Sequence, residues 1–297
     1  MDGVPMMRRN MTQTANTPLL ELRDITMRFG FIEALKSVDF TIFPQEVVAV
    51  VGDNGAGKST LMKVIAGLYQ PTKGDIRWRG GPVTISNVHE ADSMGIGTVF
   101  QGQEFCENLN VSDNLFLGRE LTRRAGIRDD EAMRSRSRRI LDTFASSIGI
   151  GQSIASLSTG QRQTVAIART LLNNPSLVLL DEPTASLSVM QTAEVLTYIK
   201  RLRTEGRSVM MICHDLPDVF AVADRIVVLR QGRINGVHNT EDTSYEEIIA
   251  QIAGVDTDGE GPGAHPTKRK RTDHQGRMLI DRSMRVKAAI SRTGEGG

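Results

Sequence analysis

Cysteine is nearly absent, with only Cys106 and Cys213 in 297 residues. Neither has a second cysteine or a histidine at metal-finger spacing. The Cys213–His214 adjacency suits a small residue closing a buried strand better than a metal pair. Two isolated thiols build no disulfide framework, so the chain reads as cytosolic. Aromatics make up only 4% of residues, with one tryptophan. Trp78 lies in a short stretch between the turn segments Gln70–Asp75 and Arg79–Pro82, and is expected as a half-buried sheet residue. No run approaches the ~18 apolar residues of a membrane span. Residues 1–17 carry Arg8 and Arg9 but no apolar core behind them, which argues against a secretion signal; Met6, Met7 and Met11 leave the start codon open. Charge of one sign is also missing: the net formal charge is +1, so no global field draws the chain to nucleic acid or membrane.

Against these absences stands Gly52-Asp53-Asn54-Gly55-Ala56-Gly57-Lys58-Ser59-Thr60. It follows the β-branched run Val47–Val51 and precedes the helix-forming Leu61–Ala66. Strand, glycine-rich turn and helix are the context that a phosphate-binding loop requires. Backbone N–H groups curl around phosphate oxygens there, and the helix adds its positive N-terminus. Lys58 is placed to reach the β- and γ-phosphates of a nucleotide, and the Ser59 hydroxyl to ligate Mg²⁺.

Before this loop, residues 19–50 alternate apolar and polar in short runs, which predicts antiparallel strands. After it, Asp113–Arg119 and the arginine-rich Asp129–Ile148 read as helices of an insertion spanning about residues 103–160. Helices are also expected over Gln161–Leu172 and Met190–Arg203, and strands over Leu177–Leu180, Val209–Cys213 and Ile226–Leu229. Alternating strands and helices imply an α/β fold with a largely parallel sheet covered on both faces. A main domain over residues 19–254 is then flanked by a flexible extension, 1–18, and a tail, 255–297, expected to be disordered. The tail has nine basic side chains against two acidic ones between residues 268 and 292, and Met278–Ile290 reads as a weak basic amphipathic helix.

Two further elements narrow the function. The apolar strand Leu177–Leu180 runs into Asp181-Glu182; an aspartate at such a strand end beside the loop holds Mg²⁺ through water, and the adjacent glutamate addresses the attacking water. Leu157-Ser158-Thr159-Gly160-Gln161 opens a helix 23 residues earlier (181 − 158), offering backbone N–H groups to an anion.

Taken together, the chain resembles the ATPase subunit of an ATP-binding-cassette (ABC) transporter. Gly52–Thr60 matches the Walker A loop, Leu157–Gln161 resembles the LSGGQ signature, and Leu177–Glu182 resembles Walker B. Gln101, 43 residues after Lys58 (101 − 58), falls where the family's Q-loop glutamine lies, and His214, 33 after Asp181 (214 − 181), where its switch histidine lies. Phe29 resembles the aromatic that stacks on adenine. The chain departs from the pattern at Thr159, where the signature has its first glycine, and at Ser188, where many relatives carry an aspartate.

The resemblance implies a P-loop NTPase core with an antiparallel β subdomain and a helical insertion. It also implies a composite site: one subunit's Gly52–Thr60 and Phe29 bind ATP, and a second subunit's Ser158–Gln161 close over the γ-phosphate. Ser59, Gln101 and Asp181 would serve Mg²⁺, Glu182 would act as catalytic base, and His214 would support the γ-phosphate. The segment Asn108–Glu120 is similar to ribose- and fructose-type monosaccharide importers, so the implied partners are membrane permease subunits, a second ATPase subunit and, indirectly, a solute-binding protein. The implied place is the cytoplasmic face of the cell membrane, held peripherally. No nucleic-acid partner is expected. An importer for a non-sugar solute is the nearest alternative, and a soluble ABC ATPase acting on nucleic acid a more distant one.

Overall fold

The computed structural model describes residues 17–102, 105–144 and 148–255. The tail, with the amphipathic helix read over Met278–Ile290, and all but the last two residues of the N-terminal extension lie outside them. Two sheets and a helical unit make up the rest.

The first sheet contains β1 (Leu20–Phe29), β2 (Ile32–Ile42), β4 (Lys73–Trp78) and β5 (Gly81–Val83), antiparallel throughout in the order β2-β1-β4-β5. The second has six strands in the order β10-β9-β3-β8-β7-β6. These are β3 (Val47–Val51), β6 (Ile96–Val99), β7 (Leu177–Asp181), β8 (Ser208–Ile212), β9 (Arg225–Arg230) and β10 (Arg233–Asn239). All neighbours pair in parallel except β10, which is antiparallel to β9.

The parallel strands are apolar through their centres because both faces are covered. Val47, Ala49 and Val51 of β3, with Val178 and Leu180 of β7, enter one core cluster. The helices over that face are α5 (Thr159–Leu171), α6 (Val189–Thr204), α7 (Leu216–Val222) and α8 (Tyr245–Ala253). Val48, Val50, Leu177 and Leu179 point the other way. There they meet α1 (Lys58–Ile65) and the inner face of the antiparallel sheet. Part of the cover on this face is therefore a second sheet. Trp78 belongs to it and is only 9% exposed, more buried than its polar neighbours predict.

The helical unit contains α3 (Val111–Phe116) and α4 (Asp130–Asp142), packed with α5 around Leu115, Phe116, Met133, Leu141, Ile154 and Val165. Both helices differ from the sequence reading. α3 starts earlier because Asn110 caps it, its side chain accepting from Asp113 N–H at 2.9 Å. α4 stops at Asp142 instead of running to Ile148. The residues just after it are held from outside: Arg201 donates to the Thr143 carbonyl, and Phe144 stacks on Tyr198 at 3.8 Å. A short helix, α2 (Val88–Ser93), precedes β6. No described helix is long and apolar enough to cross a membrane.

Candidate functional site

The geometry of the site follows from strand register. Val50 lies opposite Ile212, Ile212 opposite Asp181, and Leu180 opposite Val99, so β3, β8, β7 and β6 end level with one another. What leaves their C-terminal tips converges: Gly52 from β3, His214 from β8, Glu182 from β7 and Gln101 from β6. In open α/β sheets this edge is where ligands bind. A pocket of about 570 Å³ opens there, lined by Gly52, Asp53, Asn54, Gln101, Glu182 and His214, together with Val51 and Ile252.

The glycine loop is built to keep side chains out of a cradle. Gly52 has φ +149°, and a Cβ on it would sit 2.0 Å from the Leu229 carbonyl oxygen of β9. Gly55, at φ +79°, has nothing within 4 Å of its would-be Cβ and faces open space. Ala56 is buried, with its N–H on the Asp53 carbonyl at 3.1 Å and its carbonyl accepting from Gly232 at 2.9 Å. Gly57 is the N-cap of α1, and Asp53, Asn54, Gly55 and Ser59 are exposed, with Thr60 half-buried. Lys58 is 8% exposed, and its Nζ donates to the carbonyls of Gly52 at 2.7 Å and Asp53 at 2.9 Å. Burial pulls its pKa below the ordinary lysine value, while Glu182, Asp53 and Asp181 hold it up. A buried ammonium at a helix N-terminus is chemistry for a polyanion.

Asp181 and Glu182 part company although they are adjacent. Asp181 is buried and hydrogen-bonds the Ser59 hydroxyl. Burial pushes its carboxyl above the ordinary range, with the charge of Glu182 adding to the effect. Glu182 turns into the pocket on a left-handed backbone, φ +48°, a conformation that costs a non-glycine residue about 1–2 kcal/mol. Its N–H is tied to the Ile212 carbonyl at 3.0 Å. One carboxylate oxygen accepts from Gln101 Nε2 at 2.8 Å, and the other lies 3.5 Å from His214 Nδ1. Gln101 and His214 therefore grip the two oxygens of one carboxylate. Ser59, Asp181 and Gln101 together offer hard oxygen donors that suit Mg²⁺. Among the described residues no group of three or more His, Cys, Asp and Glu side chains is placed to chelate a metal.

The remaining predicted residues stand apart. Phe29 is 41% exposed at the end of β1, its ring edge-on to Tyr69 at 5.1 Å; Tyr69 carried no signal in the sequence. Ser158 caps α5 in a capping box with Gln161. Exposed Thr159 lines a second pocket of about 540 Å³ beside Gln101, Asp181, Glu182 and Ser186, while Ser158, Gly160 and Gln161 line a third, beside Gln191. None of the four residues lines the pocket of the glycine loop. Cys213 is buried behind the site, and its thiol is pushed up to about 12, which makes it inert.

The chain is similar to known proteins along most of its length. Residues 35–185 match the family model described as ABC transporter. The chain belongs to the ABC transporter family. It is 39% identical over 250 residues to the fructose import ATP-binding protein FrcA of Rhizobium meliloti, covering 81% of this chain and 96% of that protein. It is 40% identical over 231 residues to the xylose/arabinose import ATP-binding protein XylG of Sulfolobus acidocaldarius, covering 77% and 92%. With the ribose import ATP-binding protein RbsA of Caldanaerobacter subterraneus it shares 35% identity over 237 residues, covering 80% of this chain but 48% of the relative. The chain thus spans about half the length of the ribose-type relatives it matches. Among solved structures, the dimeric post-hydrolysis state of an ATP-binding cassette bound to ADP and Pi is 28% identical at a TM-score of 0.65, covering 74% of this chain and 98% of that one. A cassette in its ADP conformation aligns at TM-score 0.69 and 25% identity, covering 80% and 95%. The ABC ATPase fold of this chain is that of these cassettes.

Proposed function

We propose that this chain is the ATP-hydrolysing subunit of a membrane importer for a monosaccharide. The observation that carries the reading is the grip of Gln101 and His214 on Glu182, opposite the Lys58 loop, at the level tips of four parallel strands.

In this reading ATP lies in the cradle of Gly52–Thr60 with its adenine against Phe29. The Lys58 ammonium, now held by two carbonyls, exchanges them for phosphate oxygens, whose charge offsets the penalty of its burial. Glu182 orients a water for in-line attack on the γ-phosphorus and takes its proton, as the bond from that phosphorus to the β–γ bridging oxygen breaks to leave ADP and phosphate. Gln101 and His214 keep the carboxylate aimed. Mg²⁺, held through Ser59, Gln101 and Asp181, would neutralise charge developing on the phosphates. Its fit rests on the Ser59–Asp181 contact and the oxygen character of the donors.

The signature residues Ser158–Gln161 lie outside the pocket of their own glycine loop, which supports a site completed by a second copy of the cassette. Opening and closing of that pair would drive permease subunits at the cytoplasmic face of the membrane, with the segment after Gln101 and the helical unit as the link. The names of the fructose, xylose/arabinose and ribose relatives support a monosaccharide as the cargo. Affinity purification from membranes in mild detergent tests the whole reading. Co-purification of a permease, with ATP turnover stimulated by a sugar-loaded binding protein, is the expected result. Stimulation by a non-sugar solute alone would overturn the cargo assignment, and recovery of only ribosomal or nucleic-acid partners would overturn the transporter.

A further inference from the structure

Two helix N-termini meet beside the signature, and both carry the same capping box. In α5, Ser158 Oγ accepts from Gln161 N–H at 3.3 Å, and Gln161 Oε1 accepts from Ser158 N–H at 3.0 Å. In α6, Ser188 and Gln191 repeat the pattern at 3.4 and 3.0 Å. Gln191 also reaches across to the other helix: its Nε2 donates to Ser158 Oγ at 3.3 Å. Chemistry fixes which way this amide faces. Ser188 N–H needs an acceptor, which sets Oε1 on that side and turns Nε2 toward Ser158. Gly160 makes the room, since a Cβ there would lie 2.7 Å from the Gln191 side chain.

The Ser158 hydroxyl thus receives two N–H donors, Gln161 N and Gln191 Nε2. A hydroxyl has two acceptor sites and one hydrogen. With both acceptor sites engaged, the hydrogen of this exposed residue is left to point outward. We infer that Gln191 is a positioning residue that sets the polarity of Ser158, keeping its hydroxyl a donor toward the phosphate of ATP bound to a second copy of the chain. A phosphate oxygen accepts and does not donate, so only that polarity fits. The inference rests on the two-copy site proposed above and adds to it a residue outside the signature.

The test uses the full chain carrying Glu182→Gln, so that bound ATP is not consumed. Gln191→Ala removes the bridge. Gln191→Glu keeps an acceptor for Ser188 N–H, and with it the cap of α6, but its second oxygen takes the serine hydrogen inward. Three quantities are read: melting temperature without nucleotide, binding of a fluorescent ATP analogue at protein concentrations too low for pairing, and the ATP concentration at half-maximal dimerisation by light scattering. That concentration is expected to rise about tenfold or more in Gln191→Glu and about threefold in Gln191→Ala. Single-copy binding should stay within about twofold of the parent, as no bond to the glycine loop is lost. On a Ser158→Ala background, Gln191→Ala should add nothing. Unchanged dimerisation in both variants, or an effect that adds fully to Ser158→Ala, overturns the role of Gln191 while leaving the two-copy site standing. A parent chain that never pairs at any ATP concentration overturns the two-copy site and this inference with it.

Discussion

Two glycines of one loop should respond very differently to the same methyl group. At Gly52, an alanine Cβ would fall 2.0 Å from the Leu229 carbonyl oxygen, against an ordinary carbon–oxygen contact of about 3.3 Å. Something must therefore move by more than about 1 Å, and the obstacle is backbone of β9, not the end of a flexible side chain. Overpacking of that kind costs about 1–3 kcal/mol, and the left-handed φ adds about 1–3 kcal/mol more. At Gly55 the added Cβ meets nothing within 4 Å, so only the backbone conformation is penalised, by about 1–2 kcal/mol. With roughly 2–4 °C of melting temperature per kcal/mol in a domain of this size, Gly52→Ala should lose about 4–24 °C and Gly55→Ala about 2–8 °C. Thermal unfolding followed by circular dichroism without nucleotide reads the difference directly. Equal losses, or a larger loss at Gly55, would refute the claim that close approach to β9 shapes the cradle.

Glu182→Gln should lower ATP turnover at least about 100-fold while preserving ATP binding, whereas Lys58→Ala should lose both; full turnover in purified Glu182→Gln would remove that residue from its role. Asp181→Asn should raise the melting temperature of the nucleotide-free protein at pH 7. The folded carboxyl binds its proton more tightly than the unfolded one, so stability falls as pH rises above the ordinary value of 3.8 and through the raised one. The gain from asparagine should accordingly shrink in acid; a variant less stable than the parent at pH 7 would show that the Ser59 contact outweighs burial. Phe29→Ala should weaken binding of ATP about 5–10-fold, as loss of one stacked ring predicts, and unchanged affinity by fluorescence titration would take Phe29 out of the adenine site.

Much of the fold was legible because it depends on local chemistry. Uninterrupted runs such as Leu177–Leu180 announce strands covered on both faces, and Gly52–Thr60 announces a turn that only glycines can make around an anion. The helix end at Asp142 was not legible, since the residues just beyond it, Thr143 and Phe144, are held by Arg201 and Tyr198 of a helix more than 50 residues away in the chain (201 − 143). Trp78 was read as half-buried because its polar neighbours say nothing of the sheet face it occupies. Tyr69 and Gln191 were missed for the same reason. Each is an ordinary residue locally, and its partner, Phe29 or Ser158, comes from elsewhere in the chain.

The sequence alone determined which chemical groups are available: a phosphate loop with its lysine, an Asp181-Glu182 pair at a strand end, and a capped helix carrying a serine. Their spacing along the chain also determined which of them stand at strand tips. Only the tertiary structure decided how they face one another. Parallel pairing in level register brings Gln101, Glu182 and His214 together from three strands. The left-handed backbone at Glu182 separates it from Asp181, so that two adjacent carboxylates occupy different surroundings. The packing of α6 on α5 brings the Gln191 amide within hydrogen-bond reach of Ser158. Hydrogen bonding of this kind is a property of three-dimensional neighbours, and no local pattern of residues encodes it.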